Sequence, residues 1–461
     1  MEIDITKEIE RFHQFLNIEN NENIIFSGIF GIGKSYFIDK YFNHSYKEDY
    51  IPIYLTPVNY SVANNEDIFE YIKVDILMQL LQKTPCEFRD EKINFSVGAY
   101  FYLKNNAIDL LSSIATMAEK VKFGTDIISK LIKLKSNIDQ FITDNSKNEE
   151  KETLDFINAM SFQKGSIYEN NAITQIIQSL IKNAKSNDQP AKEIVLVIDD
   201  LDRIDPEHIF RILNILSAHN NFCGTDENKF EFDKTILVCD ALNIRNIYKS
   251  KYGIDVDFNG YIDKFYSKEI YHFDNTESIT KKISDILATT IGTEADLIKK
   301  ESLISSYACQ SIISALVKNG SMNVRSLLKI NKKNINNQRA IMTKNKMTLY
   351  AHEVPCIAIL DFIMSMYGSK IEVDKYLSEL KNSCFDKSNL DHILKIFIIL
   401  ADYNTNNLNL GEYLCNDIKY TIEKPNEISS FIANIHIEPS DYIDVAIIIK
   451  KAYTNYKQYF I

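Results

Sequence analysis

The residues Gly28-Ile-Phe-Gly31-Ile-Gly33-Lys34-Ser35 fit the spacing GxxxxGK[ST] in full. Glycines at these offsets let backbone N–H groups turn inward around phosphate oxygens, at the positive end of the helix that follows. Lys34 reaches the terminal phosphates as a flexible point charge, Ser35 offers a hydroxyl to Mg²⁺, and Ile32 and Tyr36 complete the run of residues around the cradle. Such a loop needs an acidic partner, because Mg²⁺ bridging two phosphates wants carboxylate-anchored water. The best candidates end the apolar run Ile194–Ile198: Asp199 for the magnesium, Asp200 to orient or deprotonate the attacking water. The competing role for this pair is helix capping.

Asp202 and Arg203 follow at once, so the acidic run reads DDLDR. Arginine is scarce here: seven Arg stand against 45 Lys, and three of the seven are Arg203, Arg211 and Arg245. A chain that uses lysine for generic positive charge keeps arginine where a planar fork is needed. Two roles are open to Arg203. It contacts a phosphate, in its own subunit or a neighbour's, or it forms an ion pair with the acids beside it. Asp240, which ends ILVCD, either faces the phosphates or caps the helix ALNIRNIY. Arg325, in GSMNVRSLLKI, either reaches over the phosphates from a separate segment or sits solvated on its helix.

Collecting these side chains requires a parallel sheet whose strands end at one edge. IIFSG, YIPIYL (50–55), EIVLVIDD (193–200), KTILVCDA (234–241) and SKEIYHF (267–273) are short apolar runs separated by helical patterns, which predicts an α/β sheet covered on both faces. A helix is predicted over 6–17, and another starts at Asn65, Glu66 and Asp67. The implied domains are residues 1–83, the first part of the core with the phosphate loop; 84–165, a helical insertion; 166–275, the second part of the core with the acidic strands; 276–335, a helical lid; and 336–461, an all-helical C-terminal domain.

The chain has 461 residues and a net charge of −11, too acidic to coat nucleic acid or anionic membranes by overall charge. Residues 325–348 depart from this, with seven cations and no acid; a solvated linker is the favoured reading and nucleic-acid binding the other. The seven cysteines contain no CxxC pair and the eight histidines no metal-ligand spacing, which suits a reducing compartment. The acidic N-terminal segment does not read as a signal peptide, and a cytoplasmic location is expected.

Together, GIFGIGKS, DDLDR after an apolar strand, VCDALNI followed by GYIDKFYSKEIYHF, and NVRSLLKINK resemble the KAP family of P-loop NTPases, over residues 5–335 less the insertion. The resemblance implies an ASCE-type, AAA-like sheet, with ATP and Mg²⁺ held by Lys34, Ser35, Asp199, Asp200 and Arg325, and Lys264 in the family's Tyr-x-x-Lys segment. The family often has Trp in its phosphate loop and in an Asn-containing segment after strand two; here Phe30 and the TPVNYS stretch stand instead. The function implied is ATP hydrolysis by a homo-oligomeric switch or motor that serves a separate effector, associated with antiphage defence. The alternatives are a scaffold with little hydrolysis and a nucleic-acid-dependent ATPase using 325–348. ATP is expected over GTP because no NKxD-like motif accompanies the loop.

Many family members carry transmembrane helices in the insertion. Here Asp109, Lys120, Lys122 and Asp126 interrupt it, and each charge is costly in hydrocarbon. The purified protein should therefore stay at the bottom of a liposome flotation gradient; co-flotation would contradict the reading.

Overall fold

The computed structural model describes residues 3–60, 68–84, 134–136, 138–140, 172–187, 191–220, 228–288, 307–329, 340–342, 348–350, 354–385, 390–402, 410–423, 435–438 and 444–459. The expected helix start at 65–67, nearly all of the 84–165 insertion and most of the basic 325–348 segment lie outside them. The chain forms two compact units. One comprises Thr6–Gly28 and Lys34–Phe273; the other comprises Met1–Ile5, Ile29–Gly33 and Asp274–Ile461.

The first unit is the α/β core. In chain order it contains α1 (Thr6–Leu16), β1 (Asn23–Ser27), α2 (Lys34–Lys40), β2 (Tyr50–Leu55), α3 (Ile68–Lys83), α4 (Ala172–Asn187), β3 (Glu193–Ile198), α5 (Pro206–Asn220), β4 (Lys234–Cys239), α6 (Ala241–Tyr252), α7 (Phe258–Ile262) and β5 (Tyr271–His272). The strands form one parallel sheet in the order β2-β3-β4-β1-β5. The acid-bearing strands β3 and β4 are therefore neighbours, on the same side of the strand that feeds the phosphate loop. All four expected longer strands form, whereas the fifth pairs over only two residues.

Burial on both faces explains the uninterrupted apolar runs. Ile25, Leu196, Ile198, Leu237 and Cys239 join one apolar cluster with residues of α3, α4, α5 and α6. Successive side chains alternate across a strand, so Phe26 faces the other way. There it packs against Phe12, Phe37, Tyr271 and Phe273. Phe12 on α1 is fully buried and meets Phe26, Phe37, Tyr41 and Tyr271 at centroid distances of 4.8–5.6 Å.

The second unit contains α8 (Thr276–Ala288), α9 (Tyr307–Lys318), α10 (Val324–Lys329), β6 (Ala340–Met342), β7 (Thr348–Tyr350), α11 (Pro355–Tyr367), α12 (Lys370–Glu379), α13 (Leu390–Ala401), β8 (Gly411–Cys415), β9 (Ile418–Ile422), β10 (Ile435–Ile437) and α14 (Val445–Tyr459). Eight of the twelve residues of α13 are buried, and the helix packs against α9, α11 and α14, which makes it the axis of the unit. Residues 336–461, expected to be all-helical, instead carry five short strands among the described residues. β6 pairs with β7, and β10-β9-β8 form an antiparallel sheet. Asn416 and Asp417, both at positive φ (48° and 64°), make the two-residue turn whose twist suits the β8–β9 hairpin.

Phe12→Ala should destabilise the first unit by about 3–5 kcal/mol, since an aromatic side chain is removed from a site enclosed by four other rings. Urea denaturation followed by circular dichroism measures this.

Candidate functional site

The phosphate loop leaves a strand end that is fixed from the neighbouring strand: the Gly28 N–H donates to the Cys239 carbonyl at 3.1 Å. Gly31 and Gly33 have φ of +80° and +101°, a backbone only glycine adopts without strain. A Cβ on Gly31 would stand 2.6 Å from Cβ of Asn323, so space as well as conformation demands glycine there. Lys34 opens α2 and is 7% exposed; its Nζ donates to the Gly28 carbonyl at 2.7 Å. The ammonium is thus held by the loop's own backbone. Ile32 is buried, while Ser35 and Tyr36 are exposed at the start of the helix.

At the end of β3, the Asp199 N–H still pairs with the Leu55 carbonyl of β2 (2.9 Å). Asp200 then takes the left-handed conformation (φ 56°, ψ 32°), which Asp and Asn tolerate better than most residues, and the chain leaves the sheet. Its N–H donates to Asp199 Oδ1 at 2.8 Å. The short turn Leu201–Arg203 brings Arg203 back, with Nη1 2.8 Å from Asp200 Oδ2. Asp202 is buried and its Oδ2 accepts from the Asp240 N–H (3.3 Å) and from Asn243 Nδ2 (3.5 Å). Asp240 caps α6, accepting from the Leu242 and Asn243 N–H groups through Oδ1. The Ala241 N–H donates to Ser27 Oγ at 3.1 Å.

Burial, and next the charge of Asp199, push the Asp200 carboxyl above the usual range; Arg203 and Lys34 pull it down and Asp202 raises it. Lys34 thus acts electrostatically on the same acidic edge. Cys239, wholly buried behind it, has its thiol raised by desolvation and then by Asp202.

Of the open roles, the ion pair is the one this geometry gives Arg203, and capping is the one it gives Asp240. Arg325 lies on the other unit together with the loop tip: its guanidinium carbon is 5.9 Å from the Phe30 ring centroid, within cation–π range. One residue earlier, the Val324 N–H donates to the Gly31 carbonyl at 3.2 Å. Asn323, seated on Gly31, is a loop contact that spacing alone did not single out; its only signal was its place two residues before Arg325. Lys264 sits over the rings of Tyr261 (4.5 Å) and Phe265 (5.0 Å), in an aromatic clamp. Arg245 donates to Asn259 Oδ1 at 2.8 Å and lies over Phe258.

Among the described residues, no group of three or more His, Cys, Asp or Glu side chains forms a metal cage. Phosphate-bound Mg²⁺ needs none, because it takes one or two protein oxygens and draws the rest from phosphate and water. The Ser35 hydroxyl and the Asp199 carboxylate are donors of that kind, so the residues present fit the ion.

A glycine loop after β1, a buried lysine opening the next helix, and two neighbouring acid-tipped strands define a P-loop NTPase core. The sequence matches the family model described as the KAP family P-loop domain over residues 6–437, and the chain belongs to that family. A comparison with curated proteins gives no significant match. Among the described residues, no helix is long and apolar enough to cross a membrane.

A carboxyl pushed above its unfolded value makes its charged form a net cost to folding at higher pH, a cost that fades as pH falls through the raised folded value and is gone below the unfolded one. Asn at position 200 removes the charge and also tolerates the left-handed backbone. Asp200→Asn should therefore unfold at pH 7 no earlier than the parent in a nucleotide-free thermal melt. A marked drop would mean that the Arg203 ion pair outweighs the repulsion.

Proposed function

We propose that the chain binds and hydrolyses ATP and works as an oligomeric switch or motor for a separate effector protein, in an antiphage setting. The observation that carries the nucleotide chemistry is the buried Lys34 ammonium, held on the Gly28 carbonyl inside a loop that only glycine can form. A phosphate entering that loop competes for Lys34 as a better, charged acceptor. The loop N–H groups and the positive end of α2 then hold the remaining oxygens. Mg²⁺, when bound between Ser35 and Asp199, supplies neutralisation of the charge on the phosphate oxygens. Asp200 orients the attacking water or takes its proton. Its carboxylate is steadied by Arg203, and this supports an Arg203 that acts within its own subunit. The partner effector, the assembly into oligomers and the defence role rest on the family resemblance of the sequence motifs.

A phosphate-release assay beside direct nucleotide-binding measurements tests this reading. Lys34→Ala should weaken nucleotide binding roughly tenfold or more, as loss of a charge-assisted contact worth about 1.5–3 kcal/mol implies. Asp200→Asn should keep binding and lose about 10²–10⁴-fold in turnover, since its role falls on the reacting water. Equal turnover in Asp200→Asn and the parent would remove Asp200 from the mechanism.

A further inference from the structure

β2 is the outermost strand of the parallel sheet, so one side of its backbone has no neighbouring strand. The Asp49 carbonyl accepts the Glu193 N–H and the Leu55 carbonyl accepts the Asp199 N–H, both at 2.9 Å, so the odd-numbered residues here turn to β3. Tyr50, Pro52 and Tyr54 therefore turn outward. From Pro52 on, each outward group is met. Pro52 has no N–H to leave open, and its carbonyl accepts from Lys83 Nζ at 2.5 Å. Both groups of Tyr54 go to one carboxamide, that of Gln79: the Tyr54 N–H donates to Oε1 (2.9 Å) and Nε2 donates to the Tyr54 carbonyl (2.5 Å).

Gln79 and Lys83 are four residues apart on α3, about 6 Å along the helix, and Tyr54 and Pro52 are about 6.6 Å apart along the strand. The end of the helix thus lies along β2 in place of a further strand. Gln79 is itself fixed, since its Nε2 also donates to Asp75 Oδ1 at 3.1 Å and Asp75 Oδ2 accepts the Tyr60 hydroxyl. This is more than covering an edge requires, because a charge or a proline does that. The register shows what the clasp reaches. Tyr54 precedes Leu55, whose carbonyl holds the Asp199 N–H, and Asp199 lies one residue past the last β3–β4 pair, Ile198 with Leu237. Asp199 therefore takes its rung from β2, and the terminal rungs of an edge strand open most readily.

We propose that Gln79 is a positioning residue of the nucleotide site: its carboxamide locks the end of β2 and, through the Leu55 carbonyl, holds the Asp199 carboxylate where Mg²⁺ binds. The assignment rests on the nucleotide reading above and adds to it the side chain that keeps the magnesium-side acid in place. Every residue of the relay, from Asp75 to Asp199, belongs to the first unit. Linkage is reciprocal, so an ion bound more tightly when the clasp is closed must also tighten the clasp.

The test uses the full chain and AMP-PNP, a non-hydrolysable ATP analogue. In the parent, single-amide hydrogen exchange at Tyr54 should slow when Mg²⁺ is added to chain already saturated with AMP-PNP. The Gly253 N–H, bonded to the Lys249 carbonyl at the far end of α6, should not change. Calorimetric titration gives the second readout. Gln79→Met should lose roughly three- to tenfold of the tightening that Mg²⁺ gives AMP-PNP binding, the worth of one ordinary hydrogen bond, and keep its Mg²⁺-free affinity. The exchange measurement needs no substitution, so it decides the matter even if Gln79→Met does not fold. Tyr54 exchange that ignores Mg²⁺ in the parent overturns the assignment, as does a Gln79→Met chain that keeps the full Mg²⁺ effect. A loss of the same size with and without Mg²⁺ also overturns it, since the carboxamide would then serve only the fold. AMP-PNP that fails to bind the parent, or binds it equally with and without Mg²⁺, overturns the nucleotide reading itself and this assignment with it.

Discussion

Four carboxylates, those of Asp199, Asp200, Asp202 and Asp240, gather at the ends of two adjacent strands, and folding must offset that concentration of like charge. The offsets differ residue by residue. Asp240 is drawn into capping α6, Asp202 is buried against the Asp240 N–H, and Asp200 takes Arg203. Asp199 accepts the N–H of its own neighbour and leaves the rest of its carboxylate for other work. Lys34 acts on the same edge from the phosphate loop. The incomplete compensation is informative: Asp200 stays raised despite two cations, because burial and Asp199 outweigh them. A site left electrostatically unfinished in this way is what added positive charge would complete.

The geometry of the edge follows from the sheet order. With β4 between β1 and β3, the Ala241 N–H can reach Ser27 Oγ on one side while the Asp240 N–H reaches Asp202 on the other. The end of β4 is thereby tied to the phosphate-loop strand and to the acidic turn at once. Displacement of any one strand end would disturb the other two.

Much of this was legible in the sequence, and for a physical reason. Strands buried on both faces must be apolar throughout, so ILV runs that stop abruptly at Asp mark both the strand and the edge it ends on. The phosphate loop is legible because backbone geometry restricts Gly31 and Gly33 to one residue type. What was not legible depends on where side chains return after the chain turns. Spacing could not say whether Arg203 reaches out or back; the left-handed backbone of Asp200 and one short turn decide it. The hairpin of β8 and β9 was hidden by its Asn-Asp turn, which lacks the glycine that usually announces such a connection, although Tyr413, Cys415, Ile418, Tyr420 and Ile422 keep the alternation. Asn275 carries no sequence signal, and Asn323 only its place two residues before Arg325. Each reads as an ordinary residue at a helix start, and only the fold brings it to the loop.

The contact between Gly31 and Asn323 also bears on how the protein can change over generations. No side chain fits at 31 while Asn323 stands where it does, and the Val324 N–H is bonded to the same residue's carbonyl. Two positions far apart in the sequence, Gly31 and Asn323, are therefore inherited as one. A lineage that recombines the phosphate loop of one member with the helical region of another inherits a mismatch there unless both segments travel together.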